Sequence, residues 1–187
     1  MTDLDSIIKG CIAGNGDMQR ELYERYSPRF YALCCRYAVD EAEAEDILVE
    51  GFTTIFTQVT NFRGEGSFEG WMQTIFVRRA SLYYRRHARQ RQLQVDDGKQ
   101  PTLNPAKVID RQIDVQRAVH AAMQHLSDKE RLTFNMIAIE GYTFAEAAQI
   151  QERPVSTVKS QYYKALWQMQ RRLRRSLGKN YLKEYEQ

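Results

Sequence analysis

The sequence predicts an all-α protein made of two small helical domains joined by a flexible linker. Apolar residues recur at spacings of three and four through most of the 187 residues, and no segment shows the alternation of a β-strand. Proline is absent over a long stretch before the segment VDDGKQPTLNP (95–105), which is polar and broken by one glycine and two prolines, as linkers are. We therefore expect domains at 1–92 and 108–187, with the linker at 93–107.

Apolar periodicity, together with start and stop signals, predicts eight helices. The four before the linker are expected near Leu4–Ala13, Asp17–Ala38, Glu41–Val59 and Ser67–Arg91. The four after it are expected near Ala106–Gln124, Asp128–Glu140, Phe144–Ile150 and Val155–Leu177. Two capping boxes, Ser127 with Glu130 and Thr143 with Glu146, fix the starts of the sixth and seventh helices, and Gly141 ends the sixth.

The segment 141–175 has the pattern of a helix-turn-helix DNA-binding motif. A short capped helix is followed by a turn and by a helix that Pro154 can start. From Pro154 to Lys179 there are seven basic side chains and no acidic one. The expected packing face consists of Val155, Val158, Tyr162, Leu166, Met169 and Leu173. The candidate contacts to phosphates and base edges are Ser156, Thr157, Lys159, Ser160, Gln161, Lys164, Arg171 and Arg175. A solvated basic face of a helical bundle is the alternative interpretation.

Charge is sorted along the chain, although the formal net charge is only +3. Residues 1–60 contain five basic and eleven acidic side chains, whereas residues 61–92 contain seven and two. Surfaces of opposite sign suit different partners. The acidic part indicates a protein partner with a basic surface, or else a solvated acidic face, and the basic parts indicate nucleic acid.

A glycine-rich loop, NFRGEGSFEGW at 61–71, separates the acidic helix from a basic helix that contains aromatic residues. Downstream of it, arginines alternate with Tyr83 and Tyr84. Guanidinium groups and aromatic rings together suit a single nucleic-acid strand, because the former bind phosphates and the latter stack on bases. For Phe68, Trp71, Ile75 and Phe76, ordinary core packing is the alternative, since their spacing is helical.

The sequence offers no pattern for catalysis or for a metal. The vicinal pair Cys34 and Cys35 and the separate Cys11 lack the spacing of metal ligands or of a structural disulfide, so we expect buried thiols. The three histidines form no metal motif, and we find no phosphate-loop, zinc-protease or nucleophile–base motif. We therefore expect a protein that is not an enzyme and that has neither a cofactor nor a metal.

The sequence also lacks a membrane signal. No apolar run approaches the roughly 18 residues that span a bilayer, and the N-terminus has no signal-peptide pattern. We expect a cytoplasmic protein with no direct membrane insertion.

Taken together, these segments resemble a bacterial sigma factor of the extracytoplasmic-function type, within the sigma-70 family. The segment EAEDILVEGFTTIF (43–56) is similar to the acidic region 2 helix that binds core RNA polymerase. The loop at 61–71 is similar to the region 2 segment that melts and captures the minus-ten element. LSDKERLTFNMIAIEGYTFAEAAQI (126–150), followed by STVKSQYYKAL (156–166), resembles the region 4 helix-turn-helix that recognises the minus-thirty-five element.

The resemblance implies roles for particular residues. Contacts with core polymerase are expected from Asp46, Ile47, Glu50 and Phe52. Contacts with the minus-ten element are expected from Asn61, Phe62, Arg63, Gly64, Gly66, Ser67, Trp71, Arg78, Arg79, Arg85 and Arg86. Contacts with the minus-thirty-five duplex are expected from Ser156, Thr157, Lys159, Ser160, Gln161, Lys164 and Arg171. Core RNA polymerase, promoter DNA and an anti-sigma factor are the implied partners.

The chain departs from the family pattern at the turn, where Glu152 and Pro154 replace the usual glycine and serine. A stand-alone helix-turn-helix transcription regulator is the main alternative, but it accounts only for the C-terminal half. An adaptor without DNA-binding activity is a third possibility, favoured if these two residues disable the motif.

Overall fold

The structure is a computed structural model that describes residues 2–38, 40–93, 118–119 and 121–177, with side chains described in these ranges except at 88–93 and 177. All regular secondary structure in these ranges is helical, which confirms the predicted fold class. The chain divides into two compact units, Met1–Gly98 and Lys99–Gln187, and each is considered by itself. The predicted linker lies outside the described residues except for its first position, so the domain limits stay a prediction.

Within its described residues, the first unit contains four α-helices and one 3₁₀ turn. The helices are α1 (Leu4–Ile12), α2 (Gly16–Tyr37), α3 (Glu41–Gln58) and α4 (Phe68–Leu93), and the 3₁₀ turn is Val59–Asn61. Side chains of Asp3, Asn15 and Asp40 accept hydrogen bonds from backbone amides of the first turns of α1, α2 and α3. These bounds lie within two residues of the predicted ones.

Three phenylalanines hold α2, α3 and α4 together. The Phe30 and Phe76 rings stack with centroids 4.3 Å apart, and Phe52 meets Phe76 edge-on at 5.4 Å. The α3 backbone approaches this cluster at Gly51, where a Cβ atom would lie 2.1 Å from Phe76 Cε1. Phe68, Ile75 and Phe76 are buried, as the core interpretation of their spacing predicted.

The second unit contains the predicted helix-turn-helix. Its helices are α5 (Asp128–Phe134), a π-helical turn at Asn135–Ile139, α6 (Phe144–Gln151) and α7 (Val155–Leu177), and residues 118–119 and 121–124 are also helical. Residues 106–117 of the predicted fifth helix, and the segment 178–187, lie outside the described residues. Among the described helices, none is long and apolar enough to cross a membrane.

Both predicted capping boxes are present. The Thr143 backbone N–H donates to Glu146 Oε2 at 2.8 Å, and the Glu146 N–H donates back to Thr143 Oγ1 at 3.2 Å. The Ser127 N–H donates to Glu130 Oε2 at 3.0 Å at the start of α5. These bonds use amides that would otherwise have no partner in the first turn of each helix.

Two expectations for this unit are wrong in detail. The helix predicted to run to Glu140 changes to π geometry at Asn135, with the Glu140 N–H bonded to the Asn135 carbonyl at 2.9 Å. Over so few residues, apolar spacing does not distinguish a bond to the fifth preceding residue from one to the fourth. Val155 is 41% exposed rather than packed, because it lies in the first turn of α7, whereas Ala165 is fully buried with Met169.

The turn between α6 and α7 closes without glycine. Glu152 adopts the left-handed conformation (φ 52°, ψ 49°), and the Arg153 N–H donates to the Ala148 carbonyl at 3.0 Å. This conformation costs a residue with a side chain roughly 1–2 kcal/mol more than glycine. Glu152 therefore adopts the left-handed turn conformation for which the sigma-factor pattern uses glycine, at a local energetic cost.

Candidate nucleic-acid and protein interfaces

The outward face of α7 carries most of the residues that the sequence assigned to duplex DNA. With Val158 buried, the helical rotation of about 100° per residue directs Ser156, Ser160, Lys164 and Arg171 away from the core. All four are exposed. Lys159 is also exposed but lies toward the α6 side, with its ammonium 5.7 Å from the Phe144 ring centroid. The structure thus separates one continuous polar face from a flanking lysine.

Gln161, another candidate base contact, is hydrogen-bonded to a buried residue of the same unit. The Thr133 hydroxyl lies 3.1 Å from Gln161 Oε1, and Gln151 Nε2 donates to Thr133 Oγ1 at 3.2 Å. Thr133 and Gln151 are buried, while Gln161 is half-buried. Because the amide oxygen of Gln161 accepts this internal bond, its amide nitrogen is the group left to act as a donor.

A buried carboxylate lies beneath this face. Glu130 is 4% exposed and accepts a hydrogen bond from Lys164 Nζ at 2.9 Å. Burial alone would raise the pKa of Glu130, but hydrogen bonds from Lys164 and Ser127 outweigh it and hold the pKa below its ordinary value. The pair borders an open cleft of about 490 Å³, which is lined by Ser127, Lys129, Glu130, Ser156, Thr157, Ser160, Gln161 and Lys164.

Sequence reasoning missed two aromatic side chains on α7. Tyr163 and Trp167 are each 58% exposed, and the Arg171 guanidinium lies 5.3 Å from the Trp167 ring centroid. Trp167 follows Ser160 by seven residues, so it continues the same outward face. The helical spacing alone indicates that Trp167 faces outward. An aromatic residue in an amphipathic helix, however, is ordinarily expected in the core.

In the first unit, the glycine-rich loop leads into an aromatic cluster. Phe62 is half-buried with its ring 5.1 Å from that of Phe68, and Trp71 stacks on Phe68 at 5.4 Å. Gly64 and Gly66 have positive φ values of 74° and 79°. The remaining loop candidates, Asn61, Arg63 and Ser67, are exposed, and Ser67 Oγ accepts a hydrogen bond from the Gly70 N–H at the start of α4.

The arginines of α4 divide between two directions. Trp71, Arg78 and Arg85 are seven residues apart, which places them within about 40° of one another on the helix. Arg86 instead contacts α3, where its Nη2 donates to Glu50 Oε2 at 2.6 Å. Arg79, seven residues before Arg86, lies on the same side of α4 as Arg86 and is half-buried. A row of two arginines and one aromatic residue therefore continues from the loop along α4.

The acidic helix α3 is tied to α4 by its own candidate residues. Asp46 Oδ2 accepts a hydrogen bond from the Tyr83 hydroxyl at 3.0 Å, and Glu50 pairs with Arg86 as described. Ile47 and Phe52 are 2% and 3% exposed, so they shape α3 from inside the unit and offer no surface. Val49, which was not predicted, is 61% exposed and is the apolar side chain that α3 presents to solvent.

Comparison with known protein families assigns both units. A sequence model of sigma-70 region 2 matches residues 22–90, and one of sigma-70 region 4 matches residues 116–169. The chain belongs to the sigma-70 family. It has the two regions of the extracytoplasmic-function type, with α3, the loop and α4 in region 2 and the helix-turn-helix in region 4.

Individual relatives agree with this assignment. The chain is 23% identical over 152 residues to the RNA polymerase sigma-H factor of Pseudomonas aeruginosa, covering 75% of this chain and 78% of that protein. It is 23% identical over 154 residues to the ECF RNA polymerase sigma-E factor of Haemophilus influenzae, covering 77% and 81%. The fold is similar to that of the sigma factor RpoE from Bartonella quintana, solved with the anti-sigma factor NepR, with a TM-score of 0.56 and 22% identity over 83% of this chain and 96% of that chain.

Proposed function

We propose that this member of the sigma-70 family binds core RNA polymerase and directs promoter-specific transcription initiation. Region 4 would recognise the minus-thirty-five duplex with α7, and region 2 would melt the minus-ten element and capture one strand. The observation that carries the proposal is the outward face of α7, which is polar and basic apart from the exposed Trp167, contains no acidic residue and follows a closed helix-turn-helix turn. A helix of this kind enters the major groove with its N-terminal residues.

Region 2 supports the single-strand part of the proposal. The loop glycines let the backbone approach a nucleotide closely, and the half-buried Phe62 and Trp71, which pack on the buried Phe68, form a wall on which a base can stack. Arg78 and Arg85 continue along the same side of α4, where they can bind phosphates of the strand. Extruding a base costs a few kcal/mol, which stacking and phosphate contacts can offset.

Binding to the polymerase is assigned to the surface of α3. Asp46 and Glu50 would meet basic residues of core polymerase, and the exposed Val49 would supply an apolar contact beside Asp46. The chain would contribute binding, and the polymerase would perform the chemistry. An anti-sigma factor, as in the Bartonella complex, is a proposed inhibitor, and the cytoplasm, where the polymerase acts, is the proposed location.

Run-off transcription on a genomic promoter library tests the function. Core RNA polymerase from the source organism should initiate at specific promoters only when this chain is added. Core binding without initiation would indicate a disabled DNA-binding motif or a missing activator. A chain that ignores core polymerase but binds duplex DNA tightly by itself would be the stand-alone regulator instead.

A matched pair of variants tests the α3 surface. Asp46→Arg should weaken binding to core polymerase by about tenfold or more, because it replaces attraction with repulsion at the contact. Glu45→Arg makes the same charge change one residue earlier, about 100° around α3, and should weaken it much less. Fluorescence anisotropy with labelled chain gives both affinities. Equal losses would mean that overall charge, not this surface, determines binding.

A further inference from the structure

Region 4 contains an ion pair that involves Lys164, one of the residues expected to contact duplex DNA. Glu130 begins α5 and Lys164 lies on α7, yet their charged atoms are 2.9 Å apart. The two side chains are unequally placed, since that of Glu130 is 5% exposed and that of Lys164 is 70% exposed. The buried carboxylate of Glu130 therefore binds the exposed Lys164 ammonium, which lies on the face of α7 that would approach the phosphates.

Glu130 is fixed independently of the lysine. Its second carboxylate oxygen accepts the Ser127 N–H at 3.0 Å, and this bond belongs to the capping box of α5. Lys164, in contrast, has a long flexible side chain that gives up rotamer freedom to reach the carboxylate. The pair therefore restrains the lysine rather than the glutamate.

The location of the pair makes this restraint relevant to DNA. Both residues border the 490 Å³ cleft beside the start of α7, together with Ser156 and Ser160. An ammonium shared with a carboxylate attracts a phosphate less than a free one does, because the carboxylate already neutralises it. Lys159, five residues earlier on α7, provides a contrast, since among the described residues it contacts a ring and no carboxylate.

We propose that Glu130 is a positioning residue that holds Lys164 away from the DNA phosphates and thereby limits sequence-independent affinity for duplex DNA. The proposal rests on the proposed function, because it assumes that α7 approaches a duplex. Each phosphate that a cation neutralises steepens the salt dependence of binding, with a log–log slope of about 0.9 per contact. Non-specific affinity depends mainly on such contacts, whereas base contacts set specificity. Restraining one lysine therefore lowers the affinity for non-specific DNA and increases the preference of the protein for promoter sites.

Glu130→Gln is the decisive variant, because a glutamine at this position keeps the capping box while it removes the charge. Binding of the full chain to a random-sequence duplex is measured by fluorescence anisotropy from roughly 50 to 200 mM salt. The variant should steepen the slope by about 0.9, so its affinity gain over the wild type should be about 3.5-fold larger at the low-salt end than at the high-salt end. An unchanged slope overturns the proposal.

A double-mutant cycle separates the release of Lys164 from a general charge effect. Glu130→Gln is repeated with Lys164→Gln already in place, where no ammonium remains to release, and the slope should then change little. If Glu130→Gln changes the slope equally with Lys164 present and with Lys164→Gln in place, the proposal is overturned. The same cycle with Lys159→Gln serves as the matched control, in which Glu130→Gln should keep its full effect.

A second variant covers the case in which Glu130→Gln fails to fold, as judged by circular dichroism. Glu130→Asp keeps the charge but shortens the reach by one methylene, so it should steepen the slope in the same direction, whereas a mere charge effect predicts no change. Run-off transcription separates the two proposals. Initiation with unchanged slopes overturns the role of Glu130 alone, whereas a chain that neither binds core polymerase nor supports initiation overturns the proposed function whatever the slopes are.

Discussion

Gly51 determines how closely α3 can approach α4 in region 2. Phe76, which a Cβ atom at this position would strike, is fully buried and stacked on Phe30, so its ring cannot move aside without disturbing a second ring. Well-packed interiors accommodate an added methyl group poorly. The close contact places Glu50, the residue before Gly51, and Asp46, on the preceding turn of α3, opposite their partners on α4.

Gly51→Ala should therefore lower the free energy of unfolding of region 2 by about 1–3 kcal/mol, even though alanine is the better helix former. Urea unfolding followed by tryptophan fluorescence measures this in a Trp167→Phe background, where Trp71 alone reports. Gly16→Ala is the control, because no heavy atom lies within 4 Å of its added Cβ, and it should change stability little. Equal effects of both substitutions would contradict the packing explanation.

Burial keeps the thiols of Cys11 and Cys34 protonated. Burial, together with the neighbouring Cys35, raises the pKa of the Cys34 thiol to about 12, and burial also raises the pKa of Cys11. Both thiols therefore stay protonated at neutral pH, where only a thiolate is an effective nucleophile. The expectation of buried thiols is confirmed for these two residues, while Cys35 is half-buried.

At the scale of elements, the turn of the helix-turn-helix stores strain at a position that glycine would relieve. Glu152→Gly should raise the free energy of unfolding of region 4 by about 1 kcal/mol, since the left-handed conformation penalises a Cβ atom. Urea unfolding in a Trp71→Phe background, where Trp167 reports, measures the gain. Glu152→Ala keeps the penalty, so the glycine variant should be about 1 kcal/mol more stable than the alanine variant. If alanine stabilises as much as glycine, removal of the charge is the cause instead.

Most helices of the described residues could be predicted because their signals are local. Caps such as Asp40 and Thr143, and apolar spacing within one helix, act over a few residues and can be read directly. The π turn after Phe134 could not, because it changes one backbone hydrogen bond without changing the apolar pattern. The buried state of Ile47 and Phe52 is likewise set by how α3 packs, which spacing alone does not determine.

The candidate site was predictable only in part, for the same reason. Rotation along α7 identified Ser160, Lys164 and Arg171 as outward residues from sequence alone. The capping box identified Glu130, but not that its carboxylate reaches Lys164, because that contact depends on the packing of α5 against α7. Contacts between residues distant in sequence, which decide what a charged side chain is free to bind, required the structure.

At the scale of the whole molecule, the sorting of charge implies that the two binding activities reside in different parts of the chain. The segment 1–60 has a net charge of −6, and the segment 154–179 has one of +7. An acidic surface repels DNA and attracts basic protein surfaces, whereas a basic helix does the reverse.

Two fragments that follow the predicted domain limits should therefore divide the activities. The fragment 108–187 should bind duplex DNA with an affinity that falls steeply with salt, because each phosphate contact adds about 0.9 to the log–log slope. The fragment 1–92 should bind core polymerase and bind the same duplex far more weakly, and circular dichroism should first establish that each fragment is helical. Anisotropy titrations of both fragments against both partners measure the division. If helical 1–92 bound duplex as tightly as 108–187, the basic stretch 61–92 would dominate over the acidic helices, and the assignment of duplex recognition to α7 would be wrong.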